Sequence, residues 1–261
     1  MWRGSAVAAL LTLFVAPAGA QCTTNAAEII DALYARVLQR HPDTQSQTLT
    51  GELASGRVPV KGVVAALTKS QEHLTRLWLP VVNADFLQVR NATPEGDRVL
   101  EAARTLARGT RTLDEVTIAL AVEEAAGLNP NTAVIALYTR LLGRDPTPDD
   151  ERQAPAVARD GIEPFARGIV GSAEFRERFG RNTVPVQGAR AYEASLRMLN
   201  RELFNREPDA EELTRYEQVA AQSGFGTVID QMLASAEYQK LFGPQGIPGG
   251  SAGKTRYCGV P

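Results

Sequence analysis

The sequence predicts an all-α fold: three or four related multi-helix repeats, packed into one or two helical domains and followed by an irregular C-terminal arm. Three observations lead to this prediction. Apolar residues recur at helical spacing, as Val134, Leu137 and Leu141 do. No segment alternates apolar and polar residues as a half-buried strand would. The same helix boundary, Arg-x-Pro followed by polar and acidic residues, occurs three times along the chain.

The first twenty residues have the layout of a secretory signal peptide. Arg3 precedes a short apolar run over 6–15, and the small residues at 18–20 suit a signal peptidase. The run is shorter than the ~20 residues of a membrane span, so we expect cleavage after Ala20 and export to the periplasm, cell surface or medium. The remaining chain has 27 basic and 30 acidic residues, which does not favour nucleic acid or anionic lipid as a partner.

The chain has two cysteines, Cys22 and Cys258, close to the two ends of the exported protein. An even number of cysteines in an exported chain favours a disulfide, which would tie the termini together. The alternative is a lipoprotein with Cys22 lipidated, although Gln21 stands where that motif normally has a small residue. We predict the disulfide.

Three segments share an apolar helical run that ends at Arg-x-Pro. They are LYARVLQRHPD (33–43), LYTRLLGRDPT (137–147) and LRMLNRELFNREPD (196–209). Proline prevents the first helix from continuing, and a cation near its end favours the exposed carbonyl groups of the last turn. The residues around and after the proline are expected to cap a second helix. The predicted caps are Thr147 with Pro148, Asp209 with Glu212, Thr44 with Gln47, and Thr93 with Pro94.

Two further features recur at fixed distances after each proline. A glycine follows after 14 to 16 residues, at Gly56, Gly161 and Gly224, and suits the left-handed position that ends the second helix. A serine motif follows after 26 to 28 residues, as SQEH (70–73), SAEF (172–175) and SAEY (235–238). We expect a third helix between them, and a fourth helix that the serine caps and whose first turn contains the glutamate.

A degenerate repeat fits between the first and second of these segments. Pro94 lies 52 residues from both Pro42 and Pro146, and Gly109 follows it by 15. Residues 122–125 replace the serine motif, and the boundary arginine is absent. The predicted organisation is a signal peptide over 1–20, repeats 1 and 2 over 21–133, repeat 3 over 134–190, repeat 4 over 191–243 and a Gly/Pro-rich arm over 244–261.

The pattern L-Y-x-x-[LV]-L-x-R-x-P-[DT], then a helix, a glycine and S-x-E-[FY], resembles the phycobilisome linker domain. It also resembles a related bacterial domain of unknown function that is repeated in exported and surface-layer-associated proteins. The resemblance is clearest over 134–180 and 191–243, and it implies an α-helical module that, in the linker branch, holds other proteins together without catalysis. The chain lacks the G-L-x-x-W arrangement of those families and has Val157, Leu213 or Tyr216 instead. Its export signal favours the exported relative.

The candidate chemical groups do not form a recognisable catalytic or metal-binding pattern. The histidines, His41 and His73, occupy repeat positions, and a zinc site or a catalytic triad needs more partners than they provide. Glu174 and Glu237 recur at one repeat position, which suits a helix start. The acidic run 149–151 lacks the spacing of a calcium-binding loop. We predict no catalytic, cofactor-binding or metal-ligating residues.

These observations predict an exported, non-catalytic structural or protein–protein interaction protein, linker-like or scaffold-like, with a protein partner in the periplasm or cell envelope and no cofactor. The alternative is an exported enzyme or carbohydrate-binding protein with a site in a groove between helical repeats. A cleft in which Glu123, Glu124, Trp78 or a histidine converge would favour that alternative.

Overall fold

The computed structural model describes residues 22–87, 96–179, 189–242 and 257–258, and over these residues the all-α prediction is confirmed. The predicted signal peptide, the Thr93–Pro94 cap and most of the C-terminal arm lie outside them. The helices are, in chain order, α1 (Ala26–Leu33), continued by a π-helical turn (Tyr34–Leu38), α2 (Ser46–Ala54), α3 (Val60–Thr68), α4 (Gln71–Leu87), α5 (Gly96–Ala107), α6 (Leu113–Ala125), α7 (Pro130–Leu142), α8 (Pro148–Glu151), α9 (Ala154–Asp160), α10 (Ile162–Val170), α11 (Ala173–Phe179), α12 (Ala189–Phe204), α13 (Ala210–Ala234) and α14 (Ala236–Phe242).

We call four consecutive parts of the chain units, following the predicted repeats. Unit 1 comprises α1 to α3 and the start of α4, and unit 2 comprises the rest of α4 with α5 and α6. Unit 3 comprises α7 to α11, and unit 4 comprises α12 to α14. Helix α4 is long because the last helix of unit 1 continues, through Pro80, into the first helix of unit 2.

The boundaries after the first helices of units 3 and 4 have the predicted caps. Thr147 Oγ1 accepts the backbone N–H of Asp150 at 3.3 Å, while Asp150 Oδ2 accepts the N–H of Thr147 at 2.8 Å. Asp209 and Glu212 form the same reciprocal capping box at the start of α13. Two backbone donors at each helix start therefore have side-chain acceptors.

The predicted cap of unit 1 is wrong. Asp43, not Thr44, provides the acceptor: its Oδ1 receives the N–H groups of Gln45 and Ser46 at 3.0 and 3.2 Å. Helix α2 begins at Ser46, one residue later than a Thr44 cap would place it. Asp43 accepts these hydrogen bonds in place of Thr44 because a carboxylate is a stronger acceptor than a hydroxyl group and lies within reach of both amides.

The glycines predicted to end the second helices have positive φ. The values are 71° at Gly56, 66° at Gly109, 94° at Gly161 and 76° at Gly224. At Gly224 the ψ angle is 170°, so the chain turns sharply between the two halves of α13 instead of continuing the helix. Positive φ also ends the first helices of units 1, 3 and 4, at Gln39, Gly143 and Asn205.

The first hydrophobic core joins distant parts of the chain. Helices of units 1, 2 and 4 pack around fully buried side chains such as Leu77, Leu196 and Ile229. Where α4 meets α12, Ser195 Oγ donates a hydrogen bond to the carbonyl oxygen of Leu77 at 2.7 Å. Unit 4 thus packs against unit 1, although two units separate them in the sequence.

Unit 3 has a second core, and α6 contributes to both. Leu137 and Phe175 are fully buried in the second core. Val116 and Leu120 of α6 belong to the first core, whereas Ile118 and Ala121 belong to the second. Apolar residues on two faces of one helix therefore make α6 a wall shared by the two cores.

Helix α6 is longer than the third helices of units 1 and 3, with 13 residues against 9 in both α3 and α10. In those units a serine caps a fourth helix, but Val122 stands at that position in unit 2. A valine cannot accept the amide hydrogen bonds that start a new helix. The third helix of unit 2 therefore runs on to Ala125.

The two ends of the described chain meet in a short ladder. The strands β1 (Cys22–Thr23) and β2 (Tyr257–Cys258) pair in antiparallel orientation, with Cys22 opposite Cys258. The C-terminal segment therefore returns to the start of unit 1.

The backbone at Gly224 provides a test of this fold. Because a Cβ atom is strained at φ 76° and ψ 170°, Gly224→Ala should lower the free energy of unfolding by about 1–3 kcal/mol. The control is Gly168→Ala within α10, where an added Cβ meets open space and helix propensity should raise stability by about 0.5–1 kcal/mol. Urea unfolding followed by circular dichroism measures both. If both substitutions changed the free energy of unfolding in the same direction, the positive φ assigned to Gly224 would be contradicted.

Candidate functional site

The arginine of each Arg-x-Pro boundary binds the glutamate of the same unit's serine motif. In units 1, 3 and 4 the Nε and Nη2 atoms donate to the two carboxylate oxygens, an arrangement that we call the arginine fork. The distances are 2.8 and 2.9 Å for Arg40–Glu72, 2.5 and 2.9 Å for Arg144–Glu174, and 2.6 and 2.5 Å for Arg206–Glu237. The fork joins the end of the first helix to the start of the fourth.

Each fork arginine also holds the boundary itself. Its Nη1 atom donates to the carbonyl oxygen of the next residue, at 3.1, 3.1 and 3.0 Å in units 1, 3 and 4. A second carboxylate from the start of the second helix completes the cluster. These ion pairs are Arg40–Asp43 at 3.1 Å, Arg144–Asp150 at 2.8 Å and Arg206–Glu212 at 2.6 Å. One guanidinium thus connects the end of the first helix with the starts of the second and fourth helices of its unit.

The electrostatics of the clusters favour their ionised forms. Hydrogen bonds to Glu72, Glu174 and Glu212 are the main causes that raise the pKa of Arg40, Arg144 and Arg206. About a third of each arginine side chain is exposed, so solvent screens the attraction. Bidentate geometry nevertheless places such a pair at the upper end of surface ion pairs, at about 1 kcal/mol.

The serine motif has the predicted capping role. Ser70, Ser172 and Ser235 accept the backbone N–H three residues later at 3.2, 3.1 and 3.1 Å. The donating residues are His73, Phe175 and Tyr238, and all three side chains are buried. The motif therefore combines a cap, an anchor in the core and the carboxylate of the fork.

Two carboxylates of the acidic run 149–151, those of Asp149 and Asp150, are paired with protein donors. Burial opposes ionisation of Asp150, but hydrogen bonds from Arg144 and Thr147 outweigh it and lower the pKa of this carboxyl group. Burial and a hydrogen bond to the same carboxylate raise the pKa of Tyr138 to about 12. Asp149 pairs with Arg152. Among the described residues, no group of three or more His, Cys, Asp or Glu side chains is arranged to hold a metal ion.

His73 forms a buried polar pair between units 1 and 4. Its Nδ1 atom lies 2.7 Å from the carbonyl oxygen of Thr68, and its Nε2 atom lies 2.7 Å from Glu202 Oε2. Because a carbonyl oxygen only accepts, Nδ1 carries a proton, and a second proton lies between Nε2 and the carboxylate. His73 is 0 % exposed, so substrate cannot reach it, and the pair serves the contact between the units.

The other suspected residues do not converge. The side chain of His41 is 92 % exposed, 3.4 Å from Asp31. Glu123 lies 3.7 Å from Arg98, and Glu124 lies 3.4 Å from the buried Arg140 of α7. Glu124 occupies the position of the fork glutamate in unit 2, and in the absence of a boundary arginine it pairs with the next unit.

Trp78 lines an open groove of about 780 Å³ between the corners at Gly109 and Gly224. His41, His73, Glu123 and Glu124 are not among the residues that line this groove. The floor consists of three aromatic side chains, Trp78, Tyr192 and Phe225, and its walls are residues 106–115 of unit 2 and 220–226 of unit 4. The sequence suggests a groove between repeats as a type of site, but it does not indicate where such a groove lies.

Glu217 is a buried carboxyl group to which no described residue donates a hydrogen bond. It is 5 % exposed on α13. Burial, together with repulsion from Glu193 of α12, raises its pKa to about 7. Sequence reasoning missed this group, because its acidic neighbour is distant along the chain.

Comparison with known proteins adds no family: no protein-family model, curated protein or solved structure matches this chain. Within the described residues, none of the helices combines the length and the apolar character needed to cross a membrane.

The His73–Glu202 pair predicts a non-additive pair of substitutions. His73→Phe introduces the residue type of unit 3 but leaves a buried carboxyl group without its partner, so we expect a loss of about 3 kcal/mol in unfolding free energy. Glu202→Leu should also destabilise, because it leaves the imidazole unmatched. The double variant should recover most of the loss, since both polar groups are removed. Additive losses in urea unfolding would contradict a coupled pair.

The raised pKa of Glu217 predicts a pH-dependent gain from Glu217→Gln. The folded protein binds this proton more tightly than the unfolded chain, so the proton stabilises the fold below about pH 4.5, and the stabilisation is lost as the pH rises through 7. Glu217→Gln should therefore gain roughly 3 kcal/mol relative to the native protein between pH 4 and pH 8. Exposed Glu177→Gln is the control. A pH-independent difference would refute the assignment.

Proposed function

We propose that this chain is an exported, non-catalytic structural or protein–protein interaction protein that acts in the periplasm or at the cell surface, without a cofactor. Its partner would be a protein of the cell envelope. The layout of residues 1–20 as a signal peptide supports the proposed location. The resemblance of the repeat pattern to linker domains supports the proposed class of function.

The observation that supports the proposal most directly is that the charged residues of the repeated boundaries bind one another. The most conspicuous charged residues of the sequence lie at the repeated boundaries, and the three forks hold them against one another. A general acid or base has to reach a substrate with a group that is free to exchange a proton. Carboxylates held by a guanidinium at helix ends are suited to rigidity, and a rigid helical surface suits binding.

One observation favours the alternative function of carbohydrate binding, namely that Trp78 lines the groove. A sugar-binding protein commonly has an exposed aromatic ring in a groove, and Trp78 lies in one. However, Trp78 is only 8 % exposed, and its ring packs edge-to-face on Phe225 with centroids 4.9 Å apart. Little of the flat face is therefore available for stacking on a sugar, and we rank carbohydrate binding second.

Affinity capture from the native cell envelope tests the proposal. The mature chain, tagged at its C-terminus, is used as bait, and a bait carrying Arg206→Ala and Arg144→Ala measures the contribution of the rigid units. We expect a partner protein that binds the intact bait in a constant ratio and reassociates after purification. Turnover of an envelope polysaccharide or peptide by the pure chain, without a stable partner, would contradict a non-catalytic function.

We also propose a disulfide between Cys22 and Cys258. The antiparallel register that places these residues opposite each other supports it, because partner Cα atoms in such a ladder lie about 4.5–5.5 Å apart, within the range of disulfides. Mass spectrometry of the unreduced exported protein should find a peptide pair joined through the two cysteines. Two alkylatable thiols, or a lipid on Cys22, would refute the bridge.

A further inference from the structure

The first helices of units 3 and 4 share an apolar pattern but pack in different places. Buried aliphatic side chains recur at the same spacing in both helices: Val134, Leu137 and Leu141 in α7, and Leu196, Leu199 and Leu203 in α12. Helix α7 packs on α6 of unit 2, whereas α12 packs on α4, which begins in unit 1. The apolar pattern alone therefore does not determine which first helix docks on which unit.

A charged residue four positions before the boundary arginine distinguishes the two helices, and we call it the connector. It is Arg140 in unit 3 and Glu202 in unit 4, and each side chain is only 6 % exposed. Arg140 Nε lies 3.4 Å from Glu124 Oε2, and Glu202 Oε2 lies 2.7 Å from His73 Nε2. Each connector thus meets a group of the receiving unit, and a buried charge that lost such a partner would be costly.

The receiving units offer different groups because only one of them has a fork. In unit 1, Arg40 already holds Glu72 through two hydrogen bonds, and the next residue, His73, meets the docking helix. Unit 2 has no boundary arginine, so Glu124, at the position of the fork glutamate, pairs with the docking helix instead. The small Ala125 stands there in place of the histidine.

Exchanging the two connectors would bring like charges together. Arg36, at the connector position of unit 1, donates to the carbonyl oxygens of Arg201 and Glu202 at 2.8 and 2.5 Å. An arginine at position 202 would therefore lie near a second guanidinium, while the nearest fork glutamate is already bound. A carboxylate in place of Arg140 would face Glu124. Both exchanges would bury a charge without a partner of opposite sign.

We infer that the connector and the fork together specify which units pair. A receiving unit with a fork accepts a helix whose connector is a carboxylate, and a receiving unit without a fork accepts a helix whose connector is an arginine. Discrimination comes from the unpaired charge of the wrong combination, since the apolar stripes are alike. This pairing holds whether or not the chain binds an envelope protein.

Exchanging the connector and then converting the receiving unit tests the inference. Glu202→Arg in the native protein should lower Tm by about 10 °C, because the guanidinium is buried without a free carboxylate. The background Arg40→Ala/His73→Ala makes unit 1 resemble unit 2, since it frees Glu72 and places a small residue beside it. In that background the same Glu202→Arg substitution should raise Tm by about 5 °C.

The fluorescence of Trp78 shows whether α12 remains docked on α4. Its ring lies edge-to-face with Tyr192 of α12 at a centroid distance of 6.3 Å. The only other tryptophan, Trp2, lies in the predicted signal peptide, so the mature chain gives a single signal. The triple variant should retain the emission maximum of the native protein.

A matched control separates pairing from general tolerance of charge. Glu123 neighbours Glu124 on α6, but its side chain is 56 % exposed, 3.7 Å from Arg98, so Glu123→Arg should change Tm by no more than about 2 °C. If Glu202→Arg lowers Tm in both backgrounds, the site merely rejects arginine and the inference is overturned. If either parent variant does not fold, a folded triple variant with native Trp78 emission supports the inference, and an unfolded triple variant overturns it.

Discussion

The arginine fork is the contact on which the architecture of units 1, 3 and 4 depends. The fourth helices of units 3 and 4 have only seven residues each, and isolated helices of that length do not persist in water. A serine cap, a buried aromatic side chain and the fork fix them to the end of the first helix. Because one guanidinium reaches three helix ends, charges that resemble a reactive site are used to order the chain.

Unit 2 shows the consequence of losing the fork. It lacks the boundary arginine and the serine, its third helix runs on, and Glu124 pairs with Arg140 of the next unit. Helix α6 is thereby free to contribute to two cores, which joins unit 3 to the rest of the fold. The groove lies at the corner of this same unit. A unit without a fork of its own thus provides the connection between the two cores.

The sequence predicted the local structure well because caps and glycines act over a few residues. Thr147, Asp209 and Gly224 could be assigned from their neighbours alone. Thr44 could not, because a competing acceptor, Asp43, lay one residue away. The fork partners were missed although the signal was present: the arginine and the glutamate are 32, 30 and 31 residues apart in the three units. The packing of unit 4 on unit 1, the His73–Glu202 pair and the groove depend on contacts between distant residues, and apolar periodicity does not specify which faces meet.

A double-mutant cycle on Arg206 and Glu237 tests the structural role of the fork most directly. Unfolding free energies of Arg206→Ala, Glu237→Ala and the double variant give the coupling between the two side chains, and amide hydrogen exchange of α14 reports the helix that the fork holds. We predict a coupling of about 1 kcal/mol and faster exchange throughout α14 in each variant. Additive losses with unchanged exchange in α14 would show that the fork does not hold the unit together.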